Sequence, residues 1–226
     1  MIESKDVSLV YPDGTVALKD VNLNIEGGDL VYIIGPSGSG KTSLLKLFMG
    51  IEYPNTGSLK VLGQAIQKGE DPKIRKIRRK IGPVFQEFRL IKGRTALDNV
   101  ILGMRFLDIA LKEMKKVGTE ALEIVGLGHK KDTLVEHLSW GESQRVAIAR
   151  AIARKPSLII ADEPTGNLDV KNALNILDLL ISLKDENTAV IITTHATHLI
   201  DRLEEGKLIQ VNNGKIQLSN WEGSLI

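Results

Sequence analysis

The chain has no cysteine. Disulfides, thiolate zinc sites, iron–sulfur clusters and cysteine nucleophiles are thereby excluded. Charge of one sign is also lacking: 30 Lys+Arg stand against 28 Asp+Glu, a formal net charge of +2. A dedicated nucleic-acid binder carries a basic excess, so no nucleic acid is expected as a partner. No apolar run approaches the ~20 residues that span a bilayer. The first residues, Met1-Ile2-Glu3-Ser4-Lys5-Asp6, lack the basic segment and apolar stretch of a secretory signal. The expectation is a soluble, cytoplasmic protein that relies on another chain wherever it works at a membrane. No internal repeat, low-complexity tract or linker interrupts the sequence.

What is present is the composition of a globular protein: 226 residues, 42% hydrophobic and 26% charged. The length suits one domain with two lobes. Residues 1–34 read as short strands with turns, among them the alternating Val21-Asn22-Leu23-Asn24-Ile25. Gly27-Gly28 precedes Leu30-Val31-Tyr32-Ile33-Ile34, apolar throughout as in a strand covered on both faces. Residues 41–49 read as a helix with Leu44, Leu45 and Phe48 on one side, and 57–63 as a strand. Residues 73–80 are a basic run in which Ile74, Ile77 and Ile81 follow the i, i+3, i+7 helical spacing. A solvated basic helix face is the first reading of that run, and a phosphate-backbone contact the second. Residues 87–155 read as mostly helical. Leu158-Ile159-Ile160-Ala161 and Ala189-Val190-Ile191-Ile192 are further buried strands, separated by a helix with Ala173, Ile176, Leu177, Leu180 and Ile181 in register. Residues 211–216 carry the Asn-Gly signal of a hairpin. Apolar strands alternating with helices indicate an α/β fold with a mostly parallel sheet.

Gly35-Pro36-Ser37-Gly38-Ser39-Gly40-Lys41-Thr42 fits G-x-x-x-x-G-K-[ST] without a mismatch, between a buried strand and a helix. Glycines let backbone N–H groups turn inward onto phosphate oxygens. The helix that starts near Lys41 points its positive end at the same anion. Lys41 adds a point charge at the β- and γ-phosphates, and the Thr42 hydroxyl is a hard ligand for Mg²⁺. The motif specifies a nucleoside triphosphate and leaves kinase, GTPase and ATPase open. At the end of the 158–161 strand stand Asp162 and Glu163. Ligands bind at this carboxyl edge in open α/β sheets. Asp162 is placed to hold Mg²⁺ and Glu163 to act as general base toward water, which favours hydrolysis.

Leu138-Ser139-Trp140-Gly141-Glu142-Ser143-Gln144-Arg145 resembles the signature motif of the ATP-binding-cassette (ABC) ATPases. Tyr11 is similar to the family's adenine-stacking aromatic, Gln86 to the glutamine between its lobes, Asn167-Leu168-Asp169 to the loop after the acidic strand, and His195 to the switch histidine. The resemblance covers essentially the whole chain. It implies a P-loop NTPase with an N-terminal antiparallel β subdomain and a helical subdomain. It places a nucleotide-binding core at 1–86 and 156–226, and the helical signature lobe at 87–155. ATP and Mg²⁺ are the implied cofactors, with residues 35–43 (ending in Ser43) and Tyr11 on the nucleotide and Thr42, Gln86 and Asp162 on the metal. Glu163, His195, Gln86 and Lys41 are the implied catalytic set. Ser139, Gly141, Glu142 and Asp169 are implied to act on the nucleotide of a second copy. His129, His137 and His198 show no metal-ligand spacing and are read as structural.

In this family the signature usually reads L-S-G-G-Q or L-S-G-G-E, and Trp140 stands at the first glycine. If that site needed positive φ, Trp would resist it and turnover would be slow. If its Cβ points away from phosphate, the bulk is harmless, and that reading is preferred. The stretch 161–169 is similar to a branch of cell-division, lipoprotein-release and macrolide-export ATPases. Gly50-Ile51-Glu52-Tyr53-Pro54 and Arg94-Thr95 lean toward the cell-division type. The resemblance implies a homodimer on ATP binding, an integral membrane permease or FtsX-like subunit as partner, and a peripheral place on the inner face of the cell membrane. Alternatives are a nucleotide-dependent regulator with weak hydrolysis and a soluble, non-transport ABC protein.

Overall fold

The computed structural model describes residues 1–166, 168–197 and 206–220. It divides into two compact units, Met1–Arg78 with Lys184–Ile226, and Arg79–Leu183.

In the first unit β1 (Ile2–Val10), β2 (Val16–Ile25), β4 (Thr56–Val61) and β5 (Gln64–Ala65) form an antiparallel sheet in the order β2-β1-β4-β5. Alternation drives it: Leu18, Val21, Leu23 and Ile25 are buried, and the polar residues between Val21 and Ile25 face out. A register shift interrupts β1 between Ser4 and Val7, where Asp6 sits at φ 51°. Gly57 packs there so closely that a Cβ would lie 2.3 Å from the Asp6 carbonyl oxygen. A second group of strands contains β3 (Leu30–Ile34), β8 (Ala189–Thr194), β9 (Lys207–Asn212) and β10 (Lys215–Asn220). β3 pairs in parallel with β8 on one side and β9 on the other, and β10 closes the edge antiparallel to β9. Every residue of β3 and β8 is buried, which explains the apolar runs Leu30-Val31-Tyr32-Ile33-Ile34 and Ala189-Val190-Ile191-Ile192; Thr193 and Thr194 end β8, buried as well. The β9–β10 turn is type I′, with Asn213 at φ 47° and Gly214 at φ 75°.

Helix α1 (Lys41–Phe48) buries Leu44, Leu45 and Phe48, as their spacing predicts. It ends in a Schellman motif: Ile51 N–H donates to the Lys46 carbonyl (2.8 Å) and Gly50, at φ 62°, donates to Leu47 (2.9 Å). The basic run forms α2 (Asp71–Arg79), which buries Ile74 and Ile77. Two features depart from the sequence reading. The helix stops before Ile81, which starts a strand instead. Arg78 is also not merely solvated: its guanidinium donates to the Met49 (3.1 Å) and Gly50 (2.6 Å) carbonyls at the end of α1. A cation there satisfies carbonyls that the helix leaves open.

In the second unit β6 (Ile81–Val84) pairs in parallel with β7 (Leu158–Asp162). The span read as mostly helical contains α3 (Ala96–Met104), α4 (Leu111–Ile124) and α5 (Trp140–Ile152), joined by turns and two short 3₁₀ segments. α6 (Val170–Ser182) follows β7 and buries Ala173, Ile176, Leu177 and Leu180. Small residues let α3, α4 and α5 approach closely. A Cβ at Gly103 would lie 2.8 Å from Arg150 Cγ, and one at Gly118 would lie 2.9 Å from Leu97. Thr95 caps α3 in a reciprocal box with Asp98. The fully buried Asn99 then ties its amide to Ile91 and Thr95, pinning the loop before the helix.

Phe48 is fully buried and Phe106 is 80% exposed. Phe48→Ala should therefore cost about 3–5 kcal/mol, and Phe106→Ala about 0.5 kcal/mol or less. Urea midpoints of the two variants check the contrast.

Candidate functional site

The glycine loop leaves β3 at Gly35 and enters α1 at Lys41. Gly35, Gly38 and Gly40 have φ of 153°, 75° and 115°. At two of them sterics add a second requirement. A Cβ at Gly35 would stand 2.2 Å from the Val211 carbonyl oxygen, and one at Gly40 would stand 2.6 Å from that of Ala17. The loop is thus held by backbone on both sides, including Gly214 N–H to Ser39 O (3.0 Å). Lys41 is 5% exposed, and its ammonium donates to Gly35 O (2.8 Å) and Pro36 O (3.0 Å). Ser39 Oγ is buried with no hydrogen-bond partner among the described residues. A cationic, glycine-rich cradle with a buried unpaired hydroxyl suits a phosphate chain. Gly40 precedes the helix without a side-chain cap, so the first N–H groups of α1 are not claimed by one.

Tyr11 lies against this loop's helix. Its hydroxyl is 3.0 Å from Ser43 Oγ, and the Lys46 ammonium stands 5.8 Å from its ring centroid. His195 follows β8 directly and is exposed. The parallel register puts Ile34 opposite Thr194, so Gly35 and His195 leave adjacent strands at the same edge.

In the second unit Asp162 ends β7, and Val84 lies opposite Ala161. Gln86 and Glu163 therefore emerge at one edge. Glu163 takes φ 45°, a left-handed conformation that costs about 1–2 kcal/mol for a residue with a Cβ. Its carbonyl accepts from Gly166 N–H (3.1 Å), closing a turn over 163–166. Gln86 packs over that turn: a Cβ at Gly166 would meet Gln86 Nε2 at 3.6 Å. Asn167 lies outside the described residues, as does His198.

Ser139 caps α5. Its hydroxyl accepts from Glu142 N–H (3.3 Å), and the Glu142 carboxylate accepts from Ser139 N–H (2.9 Å) and from Lys130 Nζ (2.5 Å). The Lys130 hydrogen bond, helped by the cap, holds the Glu142 carboxyl below its ordinary range. Asp169 caps α6 in the same way, accepting from Asn172 N–H (3.0 Å). Hydrogen bonds from Asn172 hold its carboxyl low too. A cavity of about 480 Å³ gathers Ser139, Gly141, Glu142 and Asp169, with His129 and Arg145 also in its wall. Trp140 is the first residue of α5 and is not among the residues with positive φ. The conformational objection to a large residue at this position therefore does not arise.

Sequence reasoning missed Phe88, Arg150 and the part played by Gly166. Phe88 and Arg89 sit at φ 56° and 50° just after Gln86. Arg150 donates to both of their carbonyls, at 2.7 Å to Arg89. Burial, with repulsion from Arg89, pulls Arg150 down to about 10, which leaves it charged at neutral pH. The available signal was a cation set in the apolar stretch 146–153.

A nucleoside-triphosphatase class with a glycine cradle, an acidic strand end and a capped signature helix is thus defined. Residues 18–166 match the family profile described as ABC transporter. The cell division ATP-binding protein FtsE of Mycobacterium tuberculosis is 38% identical over 207 residues, covering 92% of this chain and 90% of that protein. The phosphonates import ATP-binding protein PhnC of Staphylococcus epidermidis is 38% identical over 225 residues, covering 95% and 87%. Among solved structures, a dimeric bacterial ABC transporter cassette superposes with TM-score 0.87 at 38% identity, covering 99% of this chain and 100% of that one. The chain belongs to the ABC transporter family and has the P-loop ABC ATPase fold. It is the ATP-binding, ATP-hydrolysing subunit of an ABC-type complex.

Glu142→Gln keeps the cap but removes the charge facing Lys130. It should cost about 1 kcal/mol or less at neutral pH. The native carboxyl is shifted downward, so its contribution is complete above the ordinary value of 4.5 and fades as pH falls through the lower folded value. Melting temperatures of the two proteins should differ at neutral pH and converge as the pH is taken below the ordinary carboxyl range.

Proposed function

We propose that this chain is the homodimer-forming motor subunit of a cell-envelope complex of the cell-division type. It works on the cytoplasmic face of the membrane through an integral partner, an FtsX-like subunit or a permease. Several FtsE proteins are similar to it over most of its length, one of them the Streptococcus pneumoniae protein at 36% identity over 223 residues. Among the described residues no helix is long and apolar enough to cross a membrane, so a partner would supply the span. One observation carries the dimeric reading. Ser139, Gly141, Glu142 and Asp169, distant in sequence, wall one cavity at the positive end of α5. His129 and Arg145 in the same wall and the helix dipole favour an anion there despite the two acids, and the chain's own glycine loop already has one anion to hold.

In this reading residues 35–43 cradle the phosphates and Tyr11 stacks on the adenine. Lys41 neutralises charge between the β- and γ-phosphates. Glu163 takes the proton from the attacking water, Gln86 orients that water, and His195 contacts the γ-phosphate. Thr42 hydroxyl, Asp162 carboxylate and Gln86 carboxamide oxygen are all hard oxygen donors, the type that Mg²⁺ prefers. Once bound, the ion would offset negative charge on the β- and γ-oxygens. Ser139 and Gly141 of one copy grip the terminal phosphate held by its twin, so ATP joins two chains and hydrolysis parts them. The helical lobe, 87–155, transmits closure to the membrane partner, and 1–86 with 156–226 holds the nucleotide.

Glu163→Gln should lower kcat by about a hundredfold or more and, by blocking release, accumulate a dimer with ATP in sizing experiments. Ser139→Glu puts a like charge at the anion site. It should bind ATP as a monomer and never dimerise. A wild type that hydrolyses ATP no faster than Glu163→Gln would defeat the motor reading.

A further inference from the structure

We infer that Trp140 is a positioning residue for hydrolysis, bracing the turn that carries Glu163 and the loop that carries Gln86 from the tip of the signature helix of the same chain. The inference rests on the roles proposed above for those two residues. Four contacts make a closed circuit. The Trp140 indole N–H donates to the Gly166 carbonyl (3.3 Å). Gly166 N–H closes the turn on the Glu163 carbonyl (3.1 Å), and the Gln86 side chain lies alongside Gly166, its Nε2 3.6 Å from where a Cβ would stand. Phe88, two residues beyond Gln86, meets the Trp140 ring edge to face, with centroids 4.6 Å apart and planes at 64°.

Each link suits the residue that makes it. Trp140 is 45% exposed, yet its one polar atom faces a carbonyl and its ring meets a buried phenyl group. An indole does both at once, with a donor at one edge and an apolar face beside it. Phe88 in turn cannot drift. Arg150 binds its carbonyl and that of Arg89, and the Arg89 guanidinium lies 3.9 Å from the Phe85 ring centroid. Residues 85–89 are therefore fixed on both sides of Gln86. The Gln86 amide lies beside Gly166, its Nε2 3.6 Å from where a Cβ would stand. Glu163 holds a left-handed φ of 45° that relaxes unless its surroundings oppose it. Trp140, hydrogen-bonded to Gly166 at the far end of that four-residue turn, contributes to that opposition. A glycine at position 140 would provide neither the donor nor the ring.

The test compares Trp140→Ala, Trp140→Phe, Phe88→Leu and the Trp140→Ala/Phe88→Leu double variant in steady-state ATP hydrolysis, ATP affinity and thermal melting. Trp140→Ala should lower kcat about tenfold with KM for ATP within about twofold, the split of a group that acts on the transition state alone. Trp140→Phe, which keeps the ring contact and loses the donor, should recover part of that rate. The double variant should be no slower than Trp140→Ala, because residues in one circuit are not additive. Trp140→Ala with the native kcat overturns the inference. So does a loss in which KM and melting temperature move together with kcat, or a double variant whose losses multiply. Glu163→Gln run alongside separates the two failures. If it is inert while Trp140→Ala is fully active, only the brace falls. If it matches wild type, the role of Glu163 falls and the brace with it.

Discussion

The parallel pairing of β3 with β8 is the constraint on which the nucleotide loop depends. Both strands are buried along their full length, so a one-residue slip would have to move a whole apolar set and its ladder of backbone hydrogen bonds. Fixed register puts Ile34 opposite Thr194, and the chain leaves both strands at one edge. Gly35 begins the loop there and His195 stands beside it. β9 on the other flank of β3 presents the Val211 carbonyl against Gly35, closing the space that a side chain would need. The same strands that build the core therefore dictate glycine at the mouth of the site.

Lys41 is anchored by the backbone of the loop it follows. A nearly buried ammonium is costly unless it is paired, and here the loop's own first carbonyls receive it. The loop is shaped by its glycines, and the lysine is held against its first two carbonyls.

The second unit is organised by a different device, the helix cap. Ser139, Thr95 and Asp169 each cap a helix, and the first two do so in reciprocal boxes with an acid three residues on. At α5 the box uses the N–H groups of Ser139 and Glu142, and Lys130 steadies the carboxylate. The tip of the signature helix is thereby stiff before anything binds. A cavity with a fixed wall lies beside it. The left-handed conformations at Glu163, Phe88 and Arg89 concentrate next to this tip. Such strain persists only where neighbours oppose it.

Local chemistry was legible in the sequence. The glycine loop needs its residue types in a fixed order, so it reads directly. The apolar strands 30–34, 158–161 and 189–192 and the Asn-Gly turn also read directly, because periodicity and turn chemistry are properties of neighbours along the chain. Boundaries were less secure: spacing alone put Ile81 on the basic helix, and strand pairing with Leu158 claimed it instead. The carbonyls that the exposed Arg78 also binds escaped the sequence for the same reason, since they lie some 28 residues earlier. Tertiary structure alone decided that Ser139 and Asp169 share a cavity, that Trp140 meets Phe88 and Gly166, and that Arg150 clamps the loop after Gln86. None of these contacts has a period or a motif. Each depends on where separate elements are brought by packing, and only the folded chain specifies that.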